Sequence, residues 1–312
     1  MKRFLITIDT ESDNQWGEKS TLTAQNARFI PRFQNLCEKH GFLPVYLTDY
    51  TMVNDDYYCG YMKEKLKDDL CEIGMHLHAW DTPPVHQLDS SIQKPYLIEY
   101  PLDVMSEKIK SITNKLEDVF QVKMKSHRAG RWAMNEEYVH FLIQNGYSVD
   151  CSVTPGISWK NQLGAVGGGS NYSCKPHQPY YLDEGQHLLE VPMTIRKLRI
   201  TEKRIDGGWR GLLRGAKNCL FGNSVWMRPS ISNEVQMTAL LDCIKSENSE
   251  YLEFMMHSSE FMPGGSPYYS TEEEIDSLFL QLERLFCVIG ENYYGCTLSN
   301  FAEQYRVREE IL

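Results

Sequence analysis

His76 and His78 stand one residue apart in the segment Glu72-Ile-Gly-Met-His-Leu-His-Ala-Trp-Asp-Thr-Pro-Pro84, in a chain with nine histidines in all. Side chains of an extended segment alternate faces, so both imidazoles point the same way and can converge on one ion. Such a pair also arises on a solvated strand without any ion, so its partners decide. Two imidazoles, one carboxylate and a position left open for water make a hydrolytic centre for zinc or another divalent ion. An ion held in this way brings the pKa of its water toward ~7 and polarises a carbonyl, which suits hydrolysis of an amide or ester. Carboxylates are available where the first apolar run, Phe4 to Ile8, gives way to Asp9-Thr-Glu11-Ser-Asp13. The strand period of two places Thr7, Asp9, Glu11 and Asp13 on one face while the strand lasts. Asp9 is placed to accept a proton, and His257, at the end of a late apolar run, to give one to a leaving group.

These groups act together only if the elements that carry them converge. Short β-rich runs alternate with helical patterns along the chain. Strands are expected over residues 4–8, 43–47, from 71 into the histidine pair, 147–153, 188–193 and 251–256. Helices are expected over 24–40, 58–69, 102–120, 135–145 and 233–246, with a last one starting near Thr271. Residues 81–101 and 154–187 read as long loops, the second on the surface. The titratable residues recur at strand ends: Asp9, His76 and His78, His127 and Arg128, Asp150, His257. In a barrel of parallel strands, the loops at the carboxyl ends build one pocket, which would bring them together.

The 312 residues, 42% apolar, suffice for one large α/β domain, and no linker or repeat divides them. A net charge of −10 excludes a general affinity for nucleic acid. Nine cysteines, with no CxxC pair, read as reduced and mostly buried thiols. The sequence has no run long enough to span a membrane, and Met-Lys-Arg leads at once into a strand, so a cytoplasmic protein is expected. One window departs from the acidic average. Residues 196–217 hold eight lysines and arginines, among them Arg210 and Arg214, against Glu202 and Asp206. Interleaved leucines and tryptophans suggest an arm for an anionic substrate or a peripheral membrane contact, and a solvated surface is the plainer alternative.

Together the motifs TIDTE (7–11), EIGMHLHAWDTPP (72–84), HRAGRW (127–132), a strand with Asp150, and MMHSSEFMPGGSPY (255–268) resemble the polysaccharide deacetylases, carbohydrate esterase family 4. The resemblance is greatest to a cytoplasmic-looking branch and runs from about Arg3 to Tyr269. It implies a single-domain distorted (β/α)7 barrel over residues 1–312, with a basic insertion at about 196–228. The implied activity is removal of N-acetyl groups from an amino sugar with a divalent metal, zinc foremost. Asp9 matches the general base, His76 the first metal histidine and His257 the general acid. The family's second histidine falls at Trp80, so His78 has to substitute for it. The family's metal aspartate falls at Thr10, leaving Glu11 as third ligand with Asp13 in reserve. Arg128 matches the arginine that orients the base, and Asp150 the carboxylate that pairs with the acid histidine. Trp80 and Trp132 stack on a sugar or belong to the rim of the core, and Glu260 contacts substrate or caps a turn. Without an export signal, a lipid- or nucleotide-linked glycan precursor suits better than a finished wall polymer, and Arg210 and Arg214 would hold its phosphates. The rivals are a cyclic amide or ureide hydrolase of the same fold and a catalytically silent glycan-binding protein.

Overall fold

The computed structural model describes residues 2–13, 15, 22–88, 94–199 and 222–311. Strands β1 (Lys2–Thr10), β2 (Pro44–Thr48), β3 (Glu72–Leu77), β4 (Ser126–Ala129) and β5 (Val149–Asp150) lie side by side and parallel. Helices α1 (Ile30–Lys39), α2 (Asp56–Lys67), α3 (Leu102–Phe120) and α4 (Glu136–Gln144) alternate with them. β6 (Tyr180–Tyr181) runs antiparallel to β7 (Leu189–Glu190), which continues the parallel sheet beyond β5. A separate hairpin, β8 (Ile195–Leu198) and β9 (Asn223–Trp226), precedes α5 (Glu234–Ser246) and β10 (Tyr251–His257), which pairs with the other side of β1. The chain ends in α6 (Glu272–Gly290), β11 (Tyr293–Gly295) and α7 (Leu298–Ile311).

The sheet order β10-β1-β2-β3-β4-β5-β7-β6, curled and covered by helices, is the distorted (β/α)7 barrel. Between β7 and β10 the described chain bridges the gap with the hairpin. Met227 donates to the Thr194 carbonyl at 2.9 Å, and Met255 donates to Met227 at 3.2 Å. β1 and β10 are buried almost throughout because both faces are covered, as parallel strands require. Beneath them Phe4, Phe33, Phe254 and Phe286 form an aromatic cluster, and Phe261 stacks on Phe33 at 4.5 Å. That stack anchors the chain just past His257.

Several boundaries differ from expectation. The helix expected over 24–40 is a 3-10 turn, Gln25–Phe29, followed by α1, because Pro31 has no N–H and is tolerated only in a first turn. The fifth strand is cut to two residues because the Asp150 carboxylate accepts from Ser152 N–H and the Glu190 carboxylate accepts from Val153 N–H. β11 and α7 were not anticipated. β11 has only three residues, and Gly295 is needed there, since a Cβ would come within 2.6 Å of the Gly41 carbonyl oxygen. The segment 154–187 is more than a surface loop. The Glu99 carboxylate accepts from Ala165 (2.8 Å), Val166 (2.6 Å) and Gly167 (3.0 Å), pinning the loop so that Trp159 and Gln162 wall a cleft. Among the described residues no helix is long and apolar enough to cross a membrane.

Candidate active site

Strand register delivers the site. Asp9 pairs with His257 across β1 and β10, and His76 pairs with Arg128 across β3 and β4. Asp9, His76 and His257 all line one cleft of about 410 Å³, together with Trp132, Trp159 and Arg228.

Arg128 is wholly buried and ties the strands together. Its Nη1 donates to Asp9 Oδ1 at 2.6 Å, and its Nη2 donates to Glu253 Oε1 at 2.6 Å and to Thr7 Oγ1 at 2.8 Å. Burial alone would raise the Asp9 carboxyl, but Arg128, aided by His76 and His257, outweighs it and holds Asp9 below the ordinary carboxylate range. Asp9 is therefore ionised, and it lines the cleft. Glu253 is the opposite case: burial prevails over Arg128 and pushes its carboxyl up to about 7. Sequence reasoning missed Glu253, although a lone glutamate inside Tyr251-Leu-Glu-Phe-Met-Met256 was a visible signal.

The Glu253 shift gives a pH prediction. Its folded pKa of about 7 lies above its ordinary 4.5, so this group's contribution to stability is full below about pH 4.5 and is lost as pH rises toward 7. Glu253→Gln removes that loss. The melting temperature of the variant relative to the wild type is expected to rise from about pH 5 to about pH 8, with about 3 kcal/mol at stake. A difference that stays flat with pH would contradict this protonation.

His76 and His78 point to the same side, with ring centroids 4.6 Å apart. His76 Nδ1 lies 3.0 Å from the Arg128 carbonyl oxygen, which can only accept, so Nδ1 carries a proton and Nε2 is the nitrogen turned to Glu11. Glu11 Oε2 stands 3.6 Å from His76 Nε2 and 2.8 Å from His78 Nε2. The three residues offer ligand atoms that all lie within 4.8 Å of one another. Ligands about 2.1 Å from a tetrahedral ion are separated by about 3.4 Å, so this set fits a divalent ion once the His78 contact widens by about half an ångström. Burial would raise the Glu11 carboxyl, yet His257, His76 and His78 hold it well below its usual range, which keeps it anionic. Asp13 is not free for the task. Its oxygens accept from Thr23 Oγ1, from the Gln25 and Asn26 backbone and from Asn26 Nδ2, all between 2.6 and 2.9 Å. Gly130 lets this corner close, because a Cβ there would meet the Leu77 carbonyl oxygen at 2.4 Å and His78 Nδ1 at 2.9 Å. Just beyond it, Arg131 and Trp132 both take left-handed backbone angles, φ 56° and 61°, a strained pair that turns Trp132 into the cleft.

His257 faces the same corner from across the cleft. Its Nε2 lies 3.8 Å from Asp9 Oδ2 and 3.8 Å from Glu11 Oε1. Its Nδ1 meets Arg228 Nη2 at 3.0 Å and Glu260 Oε2 at 3.4 Å. The Glu260 carboxylate only accepts, so an imidazolium at this position can direct Nδ1–H at Glu260 and Nε2–H toward the cleft. Burial opposes ionisation of Glu260, but Arg228 and His257 together bring its carboxyl down to about 2. Glu260 and Arg228 are thus the partners that the sequence assigned to Asp150. Asp150 instead accepts from His127 Nδ1 at 2.6 Å, while His127 Nε2 meets Tyr138 of α4 at 2.8 Å. The β4–β5 register pairs His127 with Asp150, on the sheet face away from Arg128. Trp80 packs on the His78 ring, centroids 4.5 Å apart, and buttresses it rather than lining the cleft. Arg210 and Arg214 lie outside the described residues.

No family model matches the sequence, and no curated protein does. Solved structures share the fold. A Mycobacterium smegmatis protein assigned to the polysaccharide deacetylases is 14% identical with a TM-score of 0.60, covering 99% of this chain and 92% of that one. A GH57 branching enzyme from Thermococcus kodakaraensis is 9% identical with a TM-score of 0.56, covering 97% and 71%. A 4-alpha-glucanotransferase from Thermococcus litoralis is 13% identical with a TM-score of 0.55, covering 97% of this chain and 38% of that one. The likeness shows the fold alone.

Proposed function

We propose that this protein is a metal-dependent hydrolase that removes the N-acetyl group from an amino sugar in a glycan or glycan precursor. The observation that carries the reading is the position of His257 Nε2, 3.8 Å from both Asp9 and Glu11, with Glu11 against His76 and His78. Glu11, His76 and His78 would hold a divalent ion, zinc foremost. When bound, it supplies polarisation of the acetyl carbonyl and a more acidic water.

The chain's own groups complete the hydrolysis. Asp9, kept ionised by Arg128, takes a proton from the water whose oxygen bonds to the acetyl carbon. The carbon–nitrogen bond then breaks, and His257 Nε2–H gives its proton to the departing amine, leaving acetate and a free amino sugar. Trp132 and Trp159 offer indole surface to the ring, as a sugar's C–H face prefers.

Glycoside transfer of the branching-enzyme kind needs a carboxyl group held protonated in the cleft. Asp9, Glu11 and Glu260 are all held below their ordinary pKa, which leaves an imidazole as donor and favours an amine as leaving group. A phosphate-bearing carrier on the sugar stays an expectation of the sequence, since its arginines lie outside the described residues.

Stripping the purified protein with a chelator is expected to abolish acetate release, and zinc or another divalent ion to restore it. His78→Ala should lower both metal content and activity. Full activity after chelation, with metal analysis reading zero, would refute the metal-dependent reading.

A further inference from the structure

A helix follows each of the strands β1 to β4, but none lies between β5 and β7, where residues 151–188 form only the short β6. A cavity of about 930 Å³ opens there, and it shares no lining residue with the cleft. Register sets three polar residues side by side on its floor. Asp150 pairs with Glu190 across β5 and β7, and Glu190 pairs with Tyr180 across β7 and β6. Their neighbours Val149, Cys151, Leu189 and Val191 pack with Leu5 and Val45, so strand alternation turns the three to the opposite face of the sheet.

Glu190 is wholly buried. Its Oε1 accepts from Val153 N–H at 3.0 Å, but among the described residues no N–H or hydroxyl donates to Oε2, and the Tyr180 hydroxyl has no partner either. The carboxyl meets Asp150 instead, and burial together with that neighbour pushes it well above its ordinary range, so it keeps a proton. Burial would raise Asp150 too, but the bond from His127 outweighs it, and burial holds His127 itself below its ordinary range. The carboxyl pair therefore carries one negative charge with no cation bonded to it among the described residues. We propose that this cavity binds a small organic amine, its ammonium seated between Glu190 Oε2 and the Tyr180 hydroxyl and its apolar body against Val139, Ile143 and Leu182. The site stands apart from the deacetylase reading. An ammonium brings N–H donors to a buried acceptor that lacks them and a positive charge to a pair that has none beside it. The Tyr180 ring already faces one cation, Lys175 Nζ, 5.8 Å from its centroid. A carboxylate ligand would add a second charge of the same sign, and a hydrocarbon would leave Glu190 Oε2 without a donor.

The test is calorimetric titration of the metal-loaded full chain with 2-phenylethylamine, which is charged at neutral pH, and with two probes of similar shape, 2-phenylethanol and 3-phenylpropionate. The ammonium is expected to bind about 10-fold or more tightly than the alcohol, and the carboxylate not to bind. Glu190→Gln keeps an acceptor for Val153 N–H and can donate to Asp150, but it turns an N–H toward the ligand where an acceptor is needed. Its ammonium affinity should fall about 10-fold or more while its melting temperature stays close to that of the wild type. His140→Trp, which reaches into the cavity from an exposed position on α4, should weaken the binding of ammonium and alcohol alike. His140 hydrogen-bonds only Gln144 among the described residues, so a loss in this variant cannot be blamed on misfolding. Equal affinity for ammonium and alcohol, or an ammonium affinity unmoved by Glu190→Gln and His140→Trp, would overturn the site. Ammonium binding lost in Asp9→Asn but kept in these two variants would place the amine in the cleft and overturn it as well.

Discussion

Replacing His257 with alanine is expected to lower kcat by roughly 10² or more while leaving the metal content unchanged. The ring stands 3.8 Å from Glu11 and from Asp9, near enough to reach a leaving group held between them, and it is not part of the cluster that Glu11 forms with His76 and His78. The loss should fall on kcat more than on KM, because the proton is needed only as the amine departs. The partners of its Nδ1 survive the change: Arg228 still donates to Glu260 at 3.1 Å, so the local fold is expected to hold. Turnover and metal analysis on the same preparation check this. A His257→Ala protein that lost its metal would make His257 a ligand and remove it from the role of acid.

Arg128→Met is expected to have the largest effect on folding. One guanidinium without solvent contact serves Asp9 and Glu253, each at 2.6 Å. Removing it strands buried carboxylates, and breaking a buried ion pair from one side costs about 3–5 kcal/mol. Adding Glu253→Gln should recover part of that loss by removing one of the two acids. It should not recover activity, because Asp9 would still lack the cation that keeps it ionised. Urea denaturation of the single and double variants measures the effect. An Arg128→Met protein as stable as the wild type would contradict the hub.

Residues at strand ends were legible in the sequence because alternation is strict: Asp9, Glu11, His76, His78, Arg128 and His257 share one corner as their positions imply. What depended on register was not legible. Asp150 was assigned to His257, but the β4–β5 pairing sets it opposite His127, and no local pattern reveals which strand lies next to which face. Glu253 became a partner of Arg128 only through the alignment of β10 with β1. Arg228 stands at the end of the basic insertion expected over about 196–228 but outside the 196–217 window, and its contact with His257 arises from the hairpin's return. Glu260 was left between two roles by the sequence. In the structure it bonds the His257 backbone N–H at 2.9 Å and Arg228 at 3.1 Å. Trp159 was hidden in a segment with no periodicity, whose shape comes from Glu99, distant in sequence.

The measurement closest to the central claim is the stoichiometry of products from an N-acetylated oligosaccharide incubated with the metal-loaded protein, read as acetate and as free primary amine. The account predicts equal amounts of the two, growing with time in the wild type and reduced roughly 10²-fold or more in Asp9→Asn and His257→Ala. Reducing sugar released without acetate would mean that the cleft cuts glycosidic bonds instead, and acetate release undiminished in Asp9→Asn would contradict the role given to the base.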